Sequence, residues 1–138
     1  MLHLESDIKT LHTTQEKAYD FMADFSNLSD LARREDISNW QAVPESCSFE
    51  VRHAGLVSLH FVDKQPHKTL KTEGETNGIG FNLWIQLKQD QQQQTRMKVT
   101  VKANIPAMMQ GMAKKPLQSF LDMLADNLSY AINEPSVN

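Results

Sequence analysis

The stretch that decides the fold is the last long apolar segment of the chain, residues 106–132, which read PAMMQGMAKKPLQSFLDMLADNLSYAI. Its apolar residues recur at spacings of three and four, so they fall on one side of an α-helix. That stripe consists of Met109, Met112, Ala113, Pro116, Leu117, Phe120, Leu121, Leu124 and Leu128. A helix of this length spans about 40 Å. The sequence therefore predicts one long helix that must cover a broad apolar surface.

Two features divide this helix into unequal parts. Pro116 removes a helical hydrogen bond and clashes with the preceding turn, so we expect a kink or break near Met112. Such a bend can act as a hinge at a cavity mouth, or it can simply fit the helix to a curved sheet. Met108, Met109 and Met112 precede the proline, and unbranched thioethers adapt to irregular surfaces. We expect a ligand at these first turns and ordinary core at residues 117–128.

The surface under the helix is predicted from residues 39–103, where apolar and polar residues alternate with a period of two. Residues 79–88 form the clearest strand, because every second residue is large and apolar. Asn77-Gly78 suits a tight reversal, and residues 67–73, with only Leu70 plainly apolar, suit an edge strand or a partly exposed position. Short turns make neighbouring strands antiparallel, and the alternation leaves one face of the sheet in water.

The amino-terminal part supplies a strand and two short helices. Residues 2–10 alternate as one strand, and Thr13 with Glu16 forms a predicted capping box for the first helix. Ser26 is the predicted cap of the second helix. The element order β-α-α-β6-α predicts a single domain over residues 1–138. Its fold class is α+β, with a curved antiparallel sheet of about seven strands wrapped around the long carboxy-terminal helix.

Composition narrows the classes of function. The net charge of −3 and the dispersed basic residues argue against nucleic acid as a partner. Cys47 is the only cysteine, so an internal disulfide is impossible and a reducing compartment is expected. No signal peptide and no apolar run of about 20 residues are present, so we expect a cytoplasmic protein without stable membrane insertion.

Element order and several residues together resemble the START-like, or helix-grip (SRPBCC), superfamily, which includes birch-allergen-type proteins and polyketide cyclases. The resemblance is carried by the helix pair at residues 14–31, by Trp40, by residues 81–85 and by residues 112–117. Within the helix pair it involves Phe21, Asp24, Phe25 and Asn27. More narrowly, the chain resembles small uncharacterised bacterial members described as cyclase-like or lipid-transport-like. The resemblance implies an apolar cavity between sheet and helix that holds lipids, sterols or aromatic molecules.

The candidate residues that line this cavity are those on the apolar face of each predicted strand and on the apolar side of the long helix. They are Phe25, Trp40, Phe49, Val51, His53, Leu59, Phe61, Phe81, Leu83, Met97, Met109, Met112 and Phe120. The alternative for each of them is a closed core. For His53 the alternative is a strand end with the ring in water. The histidines lack metal-ligand spacing, so no metal is expected. The sequence has no phosphate-loop or dinucleotide-binding motif, so no cofactor is expected.

Three functions are compatible with this layout. The first, which we favour, is binding of a small hydrophobic or amphipathic molecule without catalysis. The second is a cyclase- or dehydratase-type enzyme, for which Asp63 and His53 would have to meet as an acid–base pair. The third is a protein-interaction module like the co-chaperone relatives. It predicts an exposed apolar patch around Trp84 and leaves a homodimer open.

Overall fold

A computed structural model describes residues 1–33, 37–52 and 55–133, with the side chains of residues 31–33 outside the description. The described chain forms eight strands, two α-helices and a 3₁₀ helix. In chain order they are β1 (Leu2–Glu5), β2 (Lys9–Leu11), α1 (Gln15–Met22), the 3₁₀ helix (Phe25–Arg33), β3 (Ile37–Val43), β4 (Ser46–Val51), β5 (Gly55–Gln65), β6 (Thr69–Thr76), β7 (Ile79–Gln89), β8 (Thr95–Ala103) and α2 (Ala107–Asn133).

All eight strands belong to one antiparallel sheet. The strand order is β1-β8-β7-β6-β5-β4-β3, and β2 pairs with β8 beyond the end of β1. From β3 to β8 each strand pairs with the next one along the chain, as short turns require. The predicted α+β fold, an antiparallel sheet with a long carboxy-terminal helix, is confirmed.

The strand alternation decides which face of the sheet is covered. On β7 the side chains of Phe81, Leu83, Ile85 and Leu87 are all buried, whereas those between them are partly exposed. Asn77 and Gly78 adopt φ values of 51° and 78°, so the predicted reversal between β6 and β7 is confirmed. The buried face of β7 is continuous with the hydrophobic core.

The prediction of an edge strand at residues 67–73 is wrong, because β6 lies between β5 and β7 near the middle of the sheet. Two buried positions of β6, Thr72 and Gly74, do not carry large apolar side chains. The buried position of Thr72 is tolerated because its hydroxyl donates a hydrogen bond to the Leu83 carbonyl (3.2 Å). Gly74 leaves room for the side chains of Phe81 and Leu59 on the neighbouring strands. A central strand can therefore carry a hydrogen-bonded threonine and a glycine at positions where large apolar side chains would be expected.

The amino-terminal predictions are corrected in three details. The single strand over residues 2–10 is wrong, because the ladder breaks after β1, where the Ser6 hydroxyl accepts from the Val99 amide (2.9 Å). The helix cap is Thr14 rather than Thr13, and its hydroxyl accepts from the Lys17 amide (3.2 Å). Ser26 does not cap the second helix, which is a 3₁₀ helix, but donates to the Asp24 carboxylate.

Helix α2 runs without interruption through Pro116, so the predicted break is wrong. The turn around the proline is exposed, and a carbonyl that loses its helical partner there can be solvated. Burial begins at Leu117 and continues to Ala131 on one side of the helix. None of the helices in the described part of the chain has both the length and the hydropathy that a bilayer crossing requires.

Candidate functional site

A cavity of about 570 Å³ lies between the first turns of α2 and one end of the sheet. Its walls come from β5, from the β6–β7 hairpin, from the segment ahead of α2 and from α2 itself. The lining residues are Val57, residues 76–80, residues 104–106, Met109, Met112, Ala113, Pro116, Leu117 and Phe120. Pockets of 300–1,000 Å³ are typical of small-molecule sites.

The order of the strands explains this location. Ala103 at the end of β8 pairs with Phe81 near the start of β7. Helix α2 begins four residues later, so its first turns lie over the end of the sheet that carries the β6–β7 hairpin. Val57, Thr76 and Ile79 face one another across β5, β6 and β7 at this end. This row of side chains forms the sheet side of the cavity.

Phe120 forms the inner boundary of the cavity. Its ring stacks on Phe49, with ring centroids 6.4 Å apart, and meets the edge of Phe81 at 6.1 Å. The Trp40 ring continues this cluster by stacking on Phe49 at 5.4 Å. Because these rings fill the space beyond Phe120, the cavity ends there and the hydrophobic core begins.

The two halves of α2 are held differently. In the second half, the Gln118 amide donates to the Glu5 carbonyl (3.1 Å), Lys9 pairs with Asp126 (2.5 Å), and the Asn133 amide donates to the Thr10 carbonyl (2.9 Å). These contacts fix residues 118–133 to the chain around β1 and β2.

The first half of α2 carries exposed apolar side chains instead. Met108 is 95% exposed, Met112 is 80% exposed and Met109 is 53% exposed. Gln110 fixes the start of the helix by donating to the Ile105 carbonyl (3.0 Å). Of these three flexible thioether side chains, those of Met109 and Met112 line the cavity.

The side chains that line the cavity are mainly apolar, and the few polar ones lie on the side of the β6–β7 hairpin and of the segment ahead of α2. Thr76, Asn77 and Asn104 contribute the side-chain polar atoms, and none of the described lining residues is ionisable. The Thr76 hydroxyl oxygen is buried and has no hydrogen-bond partner among the described residues. Nor do the described residues contain a cluster of three His, Cys, Asp or Glu side chains that could hold a metal ion.

The structure brings three of the candidate residues together in the cavity lining, namely Met109, Met112 and Phe120. Nine others pack in the hydrophobic core or against it and do not line this cavity: Phe25, Trp40, Phe49, Val51, Leu59, Phe61, Phe81, Leu83 and Met97. Phe25, one of these nine, stacks on Phe61 with ring centroids 4.3 Å apart. His53 lies outside the described residues.

The residues that sequence reasoning missed are those of the hairpin and of the segment ahead of α2. The sequence predicts a turn at Asn77-Gly78 and a helix that starts at Pro106, but it does not indicate that either segment lines a cavity. The order of the strands does indicate where these residues lie, because β7 and β8 are neighbours and antiparallel. Antiparallel pairing places the start of β7 and the end of β8 at the same end of the sheet, and therefore places the hairpin beneath the helix start.

Two further sequence-based expectations concern Cys47 and Trp84. Cys47 has inward parity on β4, which predicts a small buried residue. It is buried, and this burial raises the pKa of its thiol to about 12. Trp84 is half-buried on the outer face of the sheet. The Nζ atoms of Lys71 and Lys102 lie 5.3 Å and 5.4 Å from its ring centroid. Charged side chains therefore flank the position where the interaction hypothesis expected an apolar patch.

The chain is similar to known proteins in its fold. No family model matches the sequence, and no curated protein matches it. A truncated norcoclaurine synthase from Thalictrum flavum is similar in structure, with a TM-score of 0.77 and 8% identity over 98% of this chain and 95% of that one. A START superfamily protein from Mycobacterium smegmatis has a TM-score of 0.67 and 11% identity over 97% and 99% of the two chains.

A third similar structure is an Aha1 dimer from Colwellia psychrerythraea, with a TM-score of 0.64 and 17% identity over 99% of this chain and 100% of that one. In all three cases the similarity covers nearly the whole of both chains. The protein therefore has the helix-grip fold that the sequence pattern resembles.

Proposed function

We propose that this helix-grip protein binds a small hydrophobic or amphipathic molecule in the cavity between the sheet and the first half of α2, without catalysing a reaction. The observation that carries the proposal is the cavity itself, about 570 Å³ of mainly apolar space beneath Met109 and Met112. Burial of an apolar ligand there is favourable by about 25 cal/mol for each Å² removed from water.

The exposed methionines support the same function. Met108 and Met112 expose most of their surface, although solvation of an apolar side chain is unfavourable. A ligand between α2 and the β6–β7 hairpin would cover part of Met112 and Met109. Because thioether side chains change shape at little cost, they can close over ligands of different outline.

Binding is favoured over the cyclase or dehydratase alternative by the chemistry of the lining. Such reactions need a positioned acid and base. The described side chains around the cavity supply hydroxyl and amide groups, which suit orientation of a ligand rather than proton transfer at neutral pH. One of the similar structures is named a synthase, and at 8% identity this likeness concerns the fold alone.

A fluorescence titration with N-phenyl-1-naphthylamine, an uncharged probe that brightens in apolar surroundings, tests the proposal. Ala113→Trp places an indole inside the cavity and should abolish probe binding. Ser119→Trp is the matched control, since Ser119 is exposed on the same helix and does not line the cavity. Equal binding by wild type and both variants, or no binding by wild type, would refute the proposal.

A further inference from the structure

We infer that the ligand is an uncharged amphipathic molecule that presents a hydroxyl or carbonyl group to the side chain of Thr76. This inference rests on the proposed function and adds the chemical class and the orientation of the ligand. The polar group would lie against the β6–β7 hairpin, and the apolar body would extend towards Phe120.

The first argument is that Thr76 differs from the buried threonines elsewhere in the sheet. The Thr72 hydroxyl donates to the Leu83 carbonyl (3.2 Å), and the Thr95 hydroxyl donates to the Thr13 carbonyl (2.8 Å). The Thr100 hydroxyl donates to the Gln86 side chain (2.8 Å). Thr76 is the described residue whose buried side-chain oxygen has no partner, and it is also the threonine that lines the cavity.

There is a physical reason why an unpaired hydroxyl should belong to a residue that lines a cavity. Buried hydroxyl groups in folded proteins are nearly always hydrogen-bonded, because an unpaired one has lost its water without replacement. Thr76 lies on the inner face of β6 between Val57 and Ile79, two apolar neighbours in the ladder. A ligand in the cavity can supply the missing partner. Since a hydroxyl group both donates and accepts, a hydroxyl or a carbonyl on the ligand would satisfy it.

The second argument concerns charge. No described lining residue carries a charge, so an ionised ligand would lose its hydration without gaining a counter-charge. Asn77 and Asn104 add neutral polar groups near Thr76, whereas Met109, Met112 and Phe120 make the α2 side apolar. The cavity thus has one polar side and one apolar side, which matches a neutral amphipathic molecule.

The Thr76 hydroxyl becomes accessible through small movements. Rotation about χ1 exchanges the hydroxyl and methyl groups of a threonine between staggered positions. The opposite wall is formed by unbranched methionine side chains, which can move aside as a ligand enters. No change in the backbone is required.

Three probes of one shape test the inference, namely naphthalene, 2-naphthol and 2-naphthoate, titrated at pH 7 and followed by the amide NMR shifts of the cavity residues. Wild type should bind 2-naphthol about fivefold more tightly than naphthalene, as expected for one net hydrogen bond. It should bind 2-naphthoate more weakly than either neutral probe. Thr76→Val should lose the preference for 2-naphthol over naphthalene, and Thr76→Ser should keep that preference.

The outcomes separate this inference from the function on which it rests. Equal affinity of wild type for naphthalene and 2-naphthol, or a preference that survives in Thr76→Val, would overturn the assignment of Thr76 and leave an apolar binding site. Tightest binding of 2-naphthoate would overturn the assignment of a neutral ligand. If none of the three probes shifts the cavity amides, the proposed function fails as well.

Discussion

Gly74 faces Phe81 across the ladder between β6 and β7 so closely that a Cβ atom on Gly74 would lie 2.6 Å from the tip of the Phe81 ring. The same atom would lie 2.7 Å from a methyl group of Leu59 on the other side. A glycine in the middle of a central strand usually weakens the strand. Here it lets two large side chains occupy the space above it, directly beside the row that forms the sheet side of the cavity.

Gly74→Ala should therefore lower the free energy of unfolding by about 1–3 kcal/mol, because the added methyl group overpacks a rigid site. Gly111→Ala is the matched control. A Cβ atom at Gly111 meets no atom within 4 Å, and alanine is favoured over glycine inside a helix by up to about 1 kcal/mol. Urea unfolding measures both, and a stabilising Gly74→Ala would contradict the close packing described above.

Thr72 and Thr76 make a second matched pair on the inner face of β6. Thr72→Val removes the hydrogen bond to the Leu83 carbonyl and should cost about 1 kcal/mol of stability. Thr76→Val replaces a buried hydroxyl that has no described partner and should raise stability by about 1 kcal/mol in the absence of ligand. Thermal or urea unfolding should give shifts of opposite sign, and equal losses would show that the Thr76 hydroxyl is already satisfied.

The two halves of α2 should respond differently to truncation of an apolar side chain. Leu121 is fully buried, and Leu121→Ala should cost about 2–5 kcal/mol. Met112 is 80% exposed, and Met112→Ala should change stability by less than about 0.5 kcal/mol. The second substitution should instead weaken binding of N-phenyl-1-naphthylamine. A large loss of stability in Met112→Ala would mean that the first turns of the helix belong to the core.

The pH dependence of one surface ion pair can also be predicted. Lys98 Nζ lies 2.6 Å from a Glu5 carboxylate oxygen, and this hydrogen bond, more than the charge attraction, lowers the pKa of Glu5. A lowered folded-state pKa stabilises the fold at pH values above the unfolded pKa, and the effect is lost as the pH falls through the folded value. Lys98→Met should raise the Glu5 pKa towards its usual value of about 4.3.

The pKa of Glu5 can be read from the carboxyl ¹³C shift during an NMR titration. Lys102→Met is the control, because Lys102 also lies on the outer side of β8 but does not contribute to the Glu5 shift. The same low pKa in both variants would exclude Lys98 as its cause.

The sequence was sufficient for the architecture because the alternation on β7 and the stripe on α2 are both long and regular. It also directed attention to the first turns of α2, where Met109 and Met112 line the cavity. The central place of β6 was not predictable from its own residues. It depends on a partner carbonyl for Thr72 and on the neighbouring side chains that fill the space above Gly74.

The special position of Thr76 could not be read from the sequence for a related reason. Thr72 and Thr76 have the same parity on the same strand, so the pattern does not distinguish them. Their difference depends on whether a carbonyl lies within reach of each hydroxyl in three dimensions. Inward parity likewise identified Leu59, Phe81 and Leu83 as inner residues, but it did not show where α2 stops covering the sheet.

The pairing of β1 with β8 has a consequence for how the chain reaches its folded state. Leu2 pairs with Ala103, and Asn133 hydrogen-bonds to the Thr10 carbonyl across 123 residues of sequence. Strand β1 therefore has no strand partner until β8 has emerged from the ribosome. Proteins dominated by such distant contacts fold slowly. The hairpins from β3 to β8 can form one after another as these strands emerge, whereas β1 can add to the sheet edge only once β8 is available.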